Sequence, residues 1–408
     1  MTTLNMINRW CKWAATALCV VGMSVLPVSC DSDDLEEGAM YTFTGQTVAS
    51  FCEETPELSM YYTFLQRTDN LTLLGVYGHY TCFAPTNEAV QAFLDKYGGT
   101  LETIPEDMMK KIVYNSLIRS DGTTYLTDEF PDGALGQVSM ADRTVSVSFN
   151  TAEDGTREIW INGQSKIIGA NNEVHNGVVH VVDAVLEPSE KTPIEVIADH
   201  EVFSLWYEAF LATGIYHRME AMYDESYVNP YEDGVLYYNY PGWPPFKCPD
   251  KLKLCYTIFA ETNDVLAAAG ITSLEMMEDY ARQYYGNEHI GDYSNPENPL
   301  YKFIAYHILD RQLLTNELIY TGRLTTSKWA AENCEYYETL LPYHIIVAQA
   351  PAAIGDGNNR INLRRDGSYV KYSTERGMYN IAGRNCVVHA LDNMLVYDEN
   401  VMRNDVLH

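Results

Sequence analysis

Beyond its first thirty residues the chain has no apolar run close to the roughly 20 residues that a bilayer-spanning helix needs, which excludes a helical span there. Basic residues are scarce: 27 Lys and Arg stand against 56 Asp and Glu, a formal net charge of -29. Such a surface repels phosphate backbones and anionic headgroups, so no nucleic-acid partner is expected and no membrane contact beyond an anchor. Catalytic signatures are missing as well. There is no His-Glu-x-x-His, no Gly-x-Ser-x-Gly, no glycine-rich phosphate loop after a strand and no Cys-x-x-Cys. Neither a cofactor, a metal nor a catalytic residue is therefore expected, and the chain does not read as an enzyme.

What is present begins with a leader. Arg9 and Lys12 form a short basic region, Ala14 to Val28 is apolar but too short to span, and Ser29 precedes Cys30. The pattern over residues 1–29 resembles a bacterial lipoprotein signal peptide. Pro27 stands three residues before the cysteine, with Leu26 one place further back, as in relaxed signals of the Bacteroides group. That resemblance implies a diacylated Cys30 as the lipid anchor and first mature residue; the alternative is an ordinary signal peptide with Cys30 as a plain thiol. Residues 30–44 then read as a tether, opened by the acidic run Asp31-Ser32-Asp33-Asp34-Leu35-Glu36-Glu37. A solvated spacer accounts for such a run. It also resembles the export address of surface lipoproteins, which implies an outer-membrane protein facing the cell exterior.

Six cysteines lie beyond the anchor: Cys52, Cys82, Cys248, Cys255, Cys334 and Cys386. An even number in an exported chain permits disulfides without fixing their connectivity. Cys82 and Cys386 fall in apolar strand-like runs, where a buried free thiol is the default, whereas Cys248 and Cys255 are near enough in sequence to bridge a loop.

Internal repetition organises the remainder. Tyr80-Thr81-Cys82-Phe83-Ala84-Pro85-Thr86-Asn87 recurs as Tyr256-Thr257-Ile258-Phe259-Ala260-Glu261-Thr262-Asn263. Ile112-Val113-Tyr114-Asn115 recurs as Ile304-Ala305-Tyr306-His307. Val178-Val179-His180-Val181-Val182-Asp183 recurs as Val387-Val388-His389-Ala390-Leu391-Asp392. The three blocks keep their order, so the chain contains a duplication. In each opening block an apolar strand runs into Thr86 or Thr262, whose hydroxyl is placed to cap a following helix. The first such helix carries Val90, Phe93, Leu94 and Tyr97 on one face and stops at Gly98, the second stops at Gly270. Thr144 to Asn150 and Glu158 to Ile161 alternate as half-buried strands do, and Asn176-Gly177 is a turn before the closing strand. Further helices are expected from Pro56, and through Val202, Phe203, Trp206, Phe210 and Leu211 up to Gly214.

A T-x-F-A-P-T-N strand with its helix, a mid-domain Tyr-His pair and a closing strand around His-x-x-Asp together resemble the fasciclin (FAS1) domain. The first copy has Tyr114-Asn115 where that family has Tyr-His; the second keeps Tyr306-His307 but has Glu261 in place of the proline. The resemblance implies an α+β fold: two FAS1 domains, residues 45–189 and 193–400, each a β-sandwich-like core with helices packed at one side. It assigns Thr86, Tyr114, His180, Thr262, Tyr306, His307 and His389 to the structural motif, and it implies adhesion or binding rather than catalysis. On their own chemistry the histidines read the same way, as core imidazoles with hydrogen-bond partners.

An insertion at about 223–253 distinguishes the second copy. Tyr231, Tyr237, Tyr238, Tyr240, Trp243 and Phe246 lie within it among several prolines. Rings of this kind pack together as a lid over a domain edge, or form a contact platform for a partner. Two acidic clusters, Asp224-Glu225 with Glu232-Asp233 and Asp356-Gly357-Asn358-Asn359, lack the spacing of a calcium loop and read as solvated turns. The expected function is a non-enzymatic cell-surface lipoprotein that adheres or binds a protein partner through tandem FAS1 modules. The alternative is a glycan- or solute-capture accessory of an outer-membrane uptake system. A hydrolase would need a site that the sequence does not offer.

Overall fold

The computed structural model describes residues 45–152, 154–229, 235–236, 246–247, 251–318, 334–341, 344–348, 360–362, 368–375 and 377–397. Two α+β modules follow one another along it.

The first opens with helices. α1 (Val48–Glu54) starts at a capping box, in which the Thr47 hydroxyl accepts from the Ser50 amide and the Ser50 side chain accepts from the Thr47 amide. It lies ahead of the helix expected from Pro56, since the Glu-Glu-Thr-Pro sequence reads as a beginning more readily than as an interruption. A 3-10 turn at Pro56–Leu58 then leads into α2 (Ser59–Arg67) and α3 (Leu71–Leu74). β1 (His79–Pro85) runs to Thr86, which caps α4 (Asn87–Tyr97); Gly98 ends that helix at φ 78°, a left-handed position that suits glycine. α5 (Glu106–Asn115), β2 (Leu117–Ser120), β3 (Gly133–Val138), β4 (Thr144–Thr151), β5 (Arg157–Ile161), β6 (Ser165–Val174) and β7 (Gly177–Val182) complete the module.

The sheet order is β2-β1-β7-β6-β5-β4-β3, with β1 and β7 parallel at the motif strands and their other neighbours antiparallel. Both motif strands are buried almost throughout because both their faces are covered. Tyr80, Cys82 and Ala84 pack under the helices with Tyr61, Phe64 and Ile112. Phe83 points the other way, into a cluster with Ile118, Val145, Val147, Ile161 and Val182. A bridge from Ile118 to Ser139 brings the two ends of the sheet together, so it folds over its own core. This is the sandwich-like half with helices on one side. Gly177 is required by β1, because a Cβ there would stand 2.1 Å from the Tyr80 carbonyl oxygen.

The second module repeats the frame. α6 (Pro193–Ala198) has its own capping box on Thr192 and Glu195, and a 3-10 turn at Glu201–Phe203 precedes α7 (Ser204–Thr213). That turn divides the helix expected here. Phe203, Trp206 and Phe210 are buried as the pattern requires, but Val202, in the 3-10 turn, and Leu211, about 100° round the helix from Phe210, face outward. β8 (Val235–Leu236) pairs with β9 (Phe246–Lys247) inside the insertion. β10 (Tyr256–Glu261), α8 (Asn263–Ala268), α9 (Leu274–Tyr285), α10 (Pro299–Tyr306) and β11 (Ile308–Leu309) follow, then β12 (Cys334–Glu338), β13 (His344–Ala348), β14 (Arg360–Ile361), β15 (Ile381–Ala382) and β16 (Cys386–Leu391). β10 and β16 are parallel, in register Phe259 to His389, as Phe83 is to His180 in the first module.

Side chains lock the modules together. The Asn316 amide accepts from the Ala134 N–H at 2.6 Å and donates to the Ala134 carbonyl at 2.9 Å, imitating a strand partner. Arg143 donates to the carbonyls of Ser189 and Arg384, and Lys253 donates to the Asp142 carbonyl. Gly133 makes the Asn316 clasp possible: its φ is 131°, and a Cβ there would fall 2.2 Å from the Asn316 Oδ1. Gly133→Ala should therefore break the clasp at a cost of about 1–3 kcal/mol. Small-angle scattering should then show a wider distribution of module separations, with each module's circular dichroism unchanged.

Candidate functional site

His180 and His389 sit at the centre of their modules, and the two surroundings match. His180 Nε2 faces the Tyr125 carbonyl at 2.9 Å and so carries the proton, while Nδ1 accepts from the Asn171 N–H at 3.2 Å. His389 Nε2 likewise meets the Leu313 carbonyl at 2.9 Å, and its Nδ1 accepts from the Asn380 N–H at 3.2 Å. Burial pushes both imidazoles down to about 4, against a smaller opposing effect of those carbonyls. Each ring is therefore neutral at physiological pH, with both nitrogens occupied. It has no lone pair for a metal or a substrate proton.

The partners extend the network. Asn171 and Asn380 adopt left-handed backbone at φ 56° and 52°. The Asn171 side chain accepts from the Thr127 amide and donates to its hydroxyl, and Asn380 does the same with Thr315. Thr81 Oγ1 accepts from the Tyr125 amide; Thr257 Oγ1 accepts from the Leu313 amide and donates to the Arg311 carbonyl. One histidine thus ties the closing strand, the asparagine nine residues before it and the loop after β2 or β11. Asn176 and Asn385 add a second tie: the former donates to the carbonyls of Leu74 and Val76, the latter to those of Met219 and Ala221. Sequence reasoning missed Asn171, Asn380, Thr127 and Thr315. A signal was available, since each copy has an asparagine nine and four residues before its histidine. Replacing Asn380 with alanine should destabilise the second module by about 1–2 kcal/mol in urea titrations, because the half-buried carboxamide loses both bonds to Thr315 and alanine is strained at φ 52°; the exposed Asn171 should cost less.

The Tyr-x pair is where the copies differ. Tyr114 is half-buried under the Lys110 ammonium, 5.4 Å from its ring, and Asn115 donates to the Leu186 carbonyl at 2.8 Å. In the second copy Tyr306 is buried and its hydroxyl accepts from the Asn362 amide at 2.9 Å. His307 donates from Nδ1 to the Phe303 carbonyl at 2.8 Å and meets Glu261 Oε1 with Nε2 at 3.1 Å. Glu261 Oε1 also accepts the Leu395 N–H at 2.8 Å. Both members of the pair are fully buried, beneath the Trp206 ring 4.9 Å from the imidazole. Glu261 Oε2 and Trp206 Nε1 find no hydrogen-bond partner among the described residues. Glu261 thus makes contacts that Pro85 cannot, joining β10 to α10 and to the segment after β16.

Thr86 and Thr262 accept from the amides of Ala89 and Val265, as helix caps. Cys30 lies outside the described residues, as do Tyr231, Tyr237, Tyr238, Tyr240 and Trp243; Phe246 belongs to β9, but its side chain is outside them. The Cys248 position of the loop bridge is outside as well, while Cys255 is a free thiol. Among the described residues no group of three or more His, Cys, Asp or Glu is placed to hold a metal. The Asp224 carboxylate accepts instead from the Ser226 hydroxyl and amide, which hold it below the usual carboxylate range. Glu232, Asp233 and Asp356 to Asn359 are outside the described residues.

A cleft of about 790 Å³ runs along the linker, floored by Phe93, Ile112, Val185 and Val196. Its rim charges are paired, Lys96 with Glu187, Lys111 with Glu190 and Lys191 with Asp199.

Residues 56–188 match the family model described as Fasciclin domain. Human periostin is 32% identical over 165 residues, which is 38% of this chain and 18% of periostin, so the chain spans under a fifth of that relative's length. A solved FAS1 domain pair from the insect cell adhesion molecule Fasciclin I is similar at 13% identity, covering 86% of this chain and all of that one, with a TM-score of 0.34. The first module is thus similar to a fasciclin domain over nearly its whole length, and the second repeats its strand register, its caps and its histidine network.

Proposed function

We propose that the chain is a non-enzymatic cell-surface lipoprotein, tethered through Cys30, whose paired modules hold a macromolecular partner. The observation that carries the reading is the double use of one saturated network. Both motif histidines spend every nitrogen on structure, so the repeated residues form a scaffold and leave recognition to what differs between copies. The largest difference is the aromatic insertion, where tyrosine and tryptophan supply rigid contact area of the kind that dominates binding energy. The acidic run after Cys30 agrees with an outward-facing position, since it sets the modules on a solvated spacer away from the anchor.

Affinity capture tests it. Residues 31–408, immobilised and exposed to solubilised envelope extract, should retain a specific protein. Removing residues 231–246 should reduce the recovered amount at least tenfold. Undiminished capture by a folded deletion variant would remove the insertion from the account. A glycan-array signal without protein capture would favour the solute-capture alternative.

A further inference from the structure

The first helices of the two modules are seated alike, but the second lacks one tie. Thr47 caps α1 and Thr192 caps α6, each twelve residues ahead of the serine that opens the next helix, Ser59 or Ser204. The residue before each threonine is held by the turn that leads into the closing strand. The Gln46 carbonyl accepts from the His175 N–H at 2.7 Å, and the Lys191 carbonyl from the Arg384 N–H at 2.9 Å. The asparagine of each turn, Asn176 or Asn385, is fully buried. In the first module Asn176 Oδ1 accepts the Val48 N–H at 2.9 Å, which fastens the first residue of α1. The matching residue of α6 is Pro193, and proline has no N–H to give. Asn385 Oδ1 accordingly meets no donor among the described residues, although its amide nitrogen still donates to the carbonyls of Met219 and Ala221. Apolar burial does not offset the difference: α1 buries Val48, Ala49 and Cys52, and α6 buries Pro193, Val196 and Ile197.

We propose that Pro193 makes α6 a strap that opens ahead of the rest of the second module, while the two modules stay clasped. Lifting α1 breaks a buried hydrogen bond. Lifting α6 breaks none at this position and lets water reach an oxygen that is unmatched when the helix is down. The opening free energy of α6 is lowered on both counts, and local opening follows such differences. Glu195, Val196 and Asp199 of this segment wall the 790 Å³ cleft along the linker, so a lifted α6 widens the cleft and bares Val196. The ties across the module boundary survive that movement. Asn316 holds Ala134, and Arg143 holds the carbonyls of Ser189 and Arg384, none of which belongs to α6. The strap thus governs access to the cleft without parting the modules.

Native-state hydrogen exchange on the full-length chain at pH 7, read residue by residue, tests this. The helical amides of Val196 to Asp199 should exchange faster than those of β16 in the same module. Pro193→Val places the first module's residue at the head of α6 and supplies the missing N–H. It should slow exchange in α6 about tenfold and leave β16 unchanged. The sign is diagnostic. Proline is favoured at the first position of a helix and stiffens the open chain, so its loss alone should quicken exchange; only the regained bond to Asn385 can slow it. Pro193→Ala should act in the same direction, which keeps the test valid if valine packs badly. The converse change in the first module, Val48→Pro, should quicken exchange of Phe51 to Thr55 by about tenfold. Exchange in α6 that is as fast in both Pro193 variants as in the wild type, or faster, would overturn the proposal. So would a wild-type α6 as well protected as β16.

Discussion

Between pH 6.5 and 4 the protein should lose about 6 kcal/mol of stability through His180 and His389 alone. Each imidazole is held at about 4 in the folded chain, against about 6.5 in the unfolded one. The sign follows from proton counting. The unfolded chain begins to bind protons near pH 6.5 and the folded chain does not until near pH 4, so acid draws the equilibrium toward unfolding. The contribution is complete above pH 6.5, falls steadily below it and is exhausted below about 4. Each shift corresponds to roughly 3 kcal/mol. The first proton to bind must displace the amide of Asn171 or Asn380 from Nδ1, which releases the loops those residues hold. Urea midpoints at pH 7, 5.5 and 4.5 check this. His180→Gln and His389→Gln should be less stable at pH 7, yet each should flatten the acid slope by about half. A wild-type midpoint unchanged from pH 7 to 4.5 would contradict the assignment.

The second large effect belongs to the Glu261–His307 pair. Glu261→Ala should destabilise the second module by about 3–5 kcal/mol, and His307→Ala by a similar amount, because each leaves its partner buried and unmatched. Replacing both at once by the first copy's residues, Glu261→Pro with His307→Asn, should cost less than the two single losses added together. In that combination the carboxamide introduced at position 307 can donate to the Leu395 carbonyl, as Asn115 does to that of Leu186. The measurement is a double-mutant cycle in urea over Glu261→Pro, His307→Asn and their combination, following tryptophan fluorescence. Additive losses would mean that the two groups do not act as a unit.

The outline of both modules was legible in the sequence, because its strongest signals are local. Thr86 and Thr262 announce their helices, Gly98 and Gly270 end them, and the largely apolar runs of β1, β7, β10 and β16 mark strands covered on both faces. Long-range hydrogen bonding was harder to see. Nothing in the spacing of Asn171 or Asn380 states that a left-handed asparagine will meet an imidazole, although its recurrence nine residues before each histidine was there to be found. Residue type alone also hides Glu261. A glutamate at a buried strand end looks like a defect of the motif until His307 and the Leu395 amide are placed beside it. The exposure of Val202 goes with a 3-10 turn at Glu201–Phe203, which hydrophobic periodicity over a single window averages away.

The central claim is that the repeated histidine network is scaffold and that binding resides in what the copies do not share. Its most direct test is the affinity of the captured partner for three proteins at pH 7: the wild-type chain, the chain without residues 231–246, and the chain with His180→Gln and His389→Gln, assayed where it remains folded. The deletion should weaken binding at least tenfold, and the histidine variant should bind as the wild type does despite its lower stability. A folded histidine variant that has lost the partner, beside a deletion that keeps it, would contradict the account.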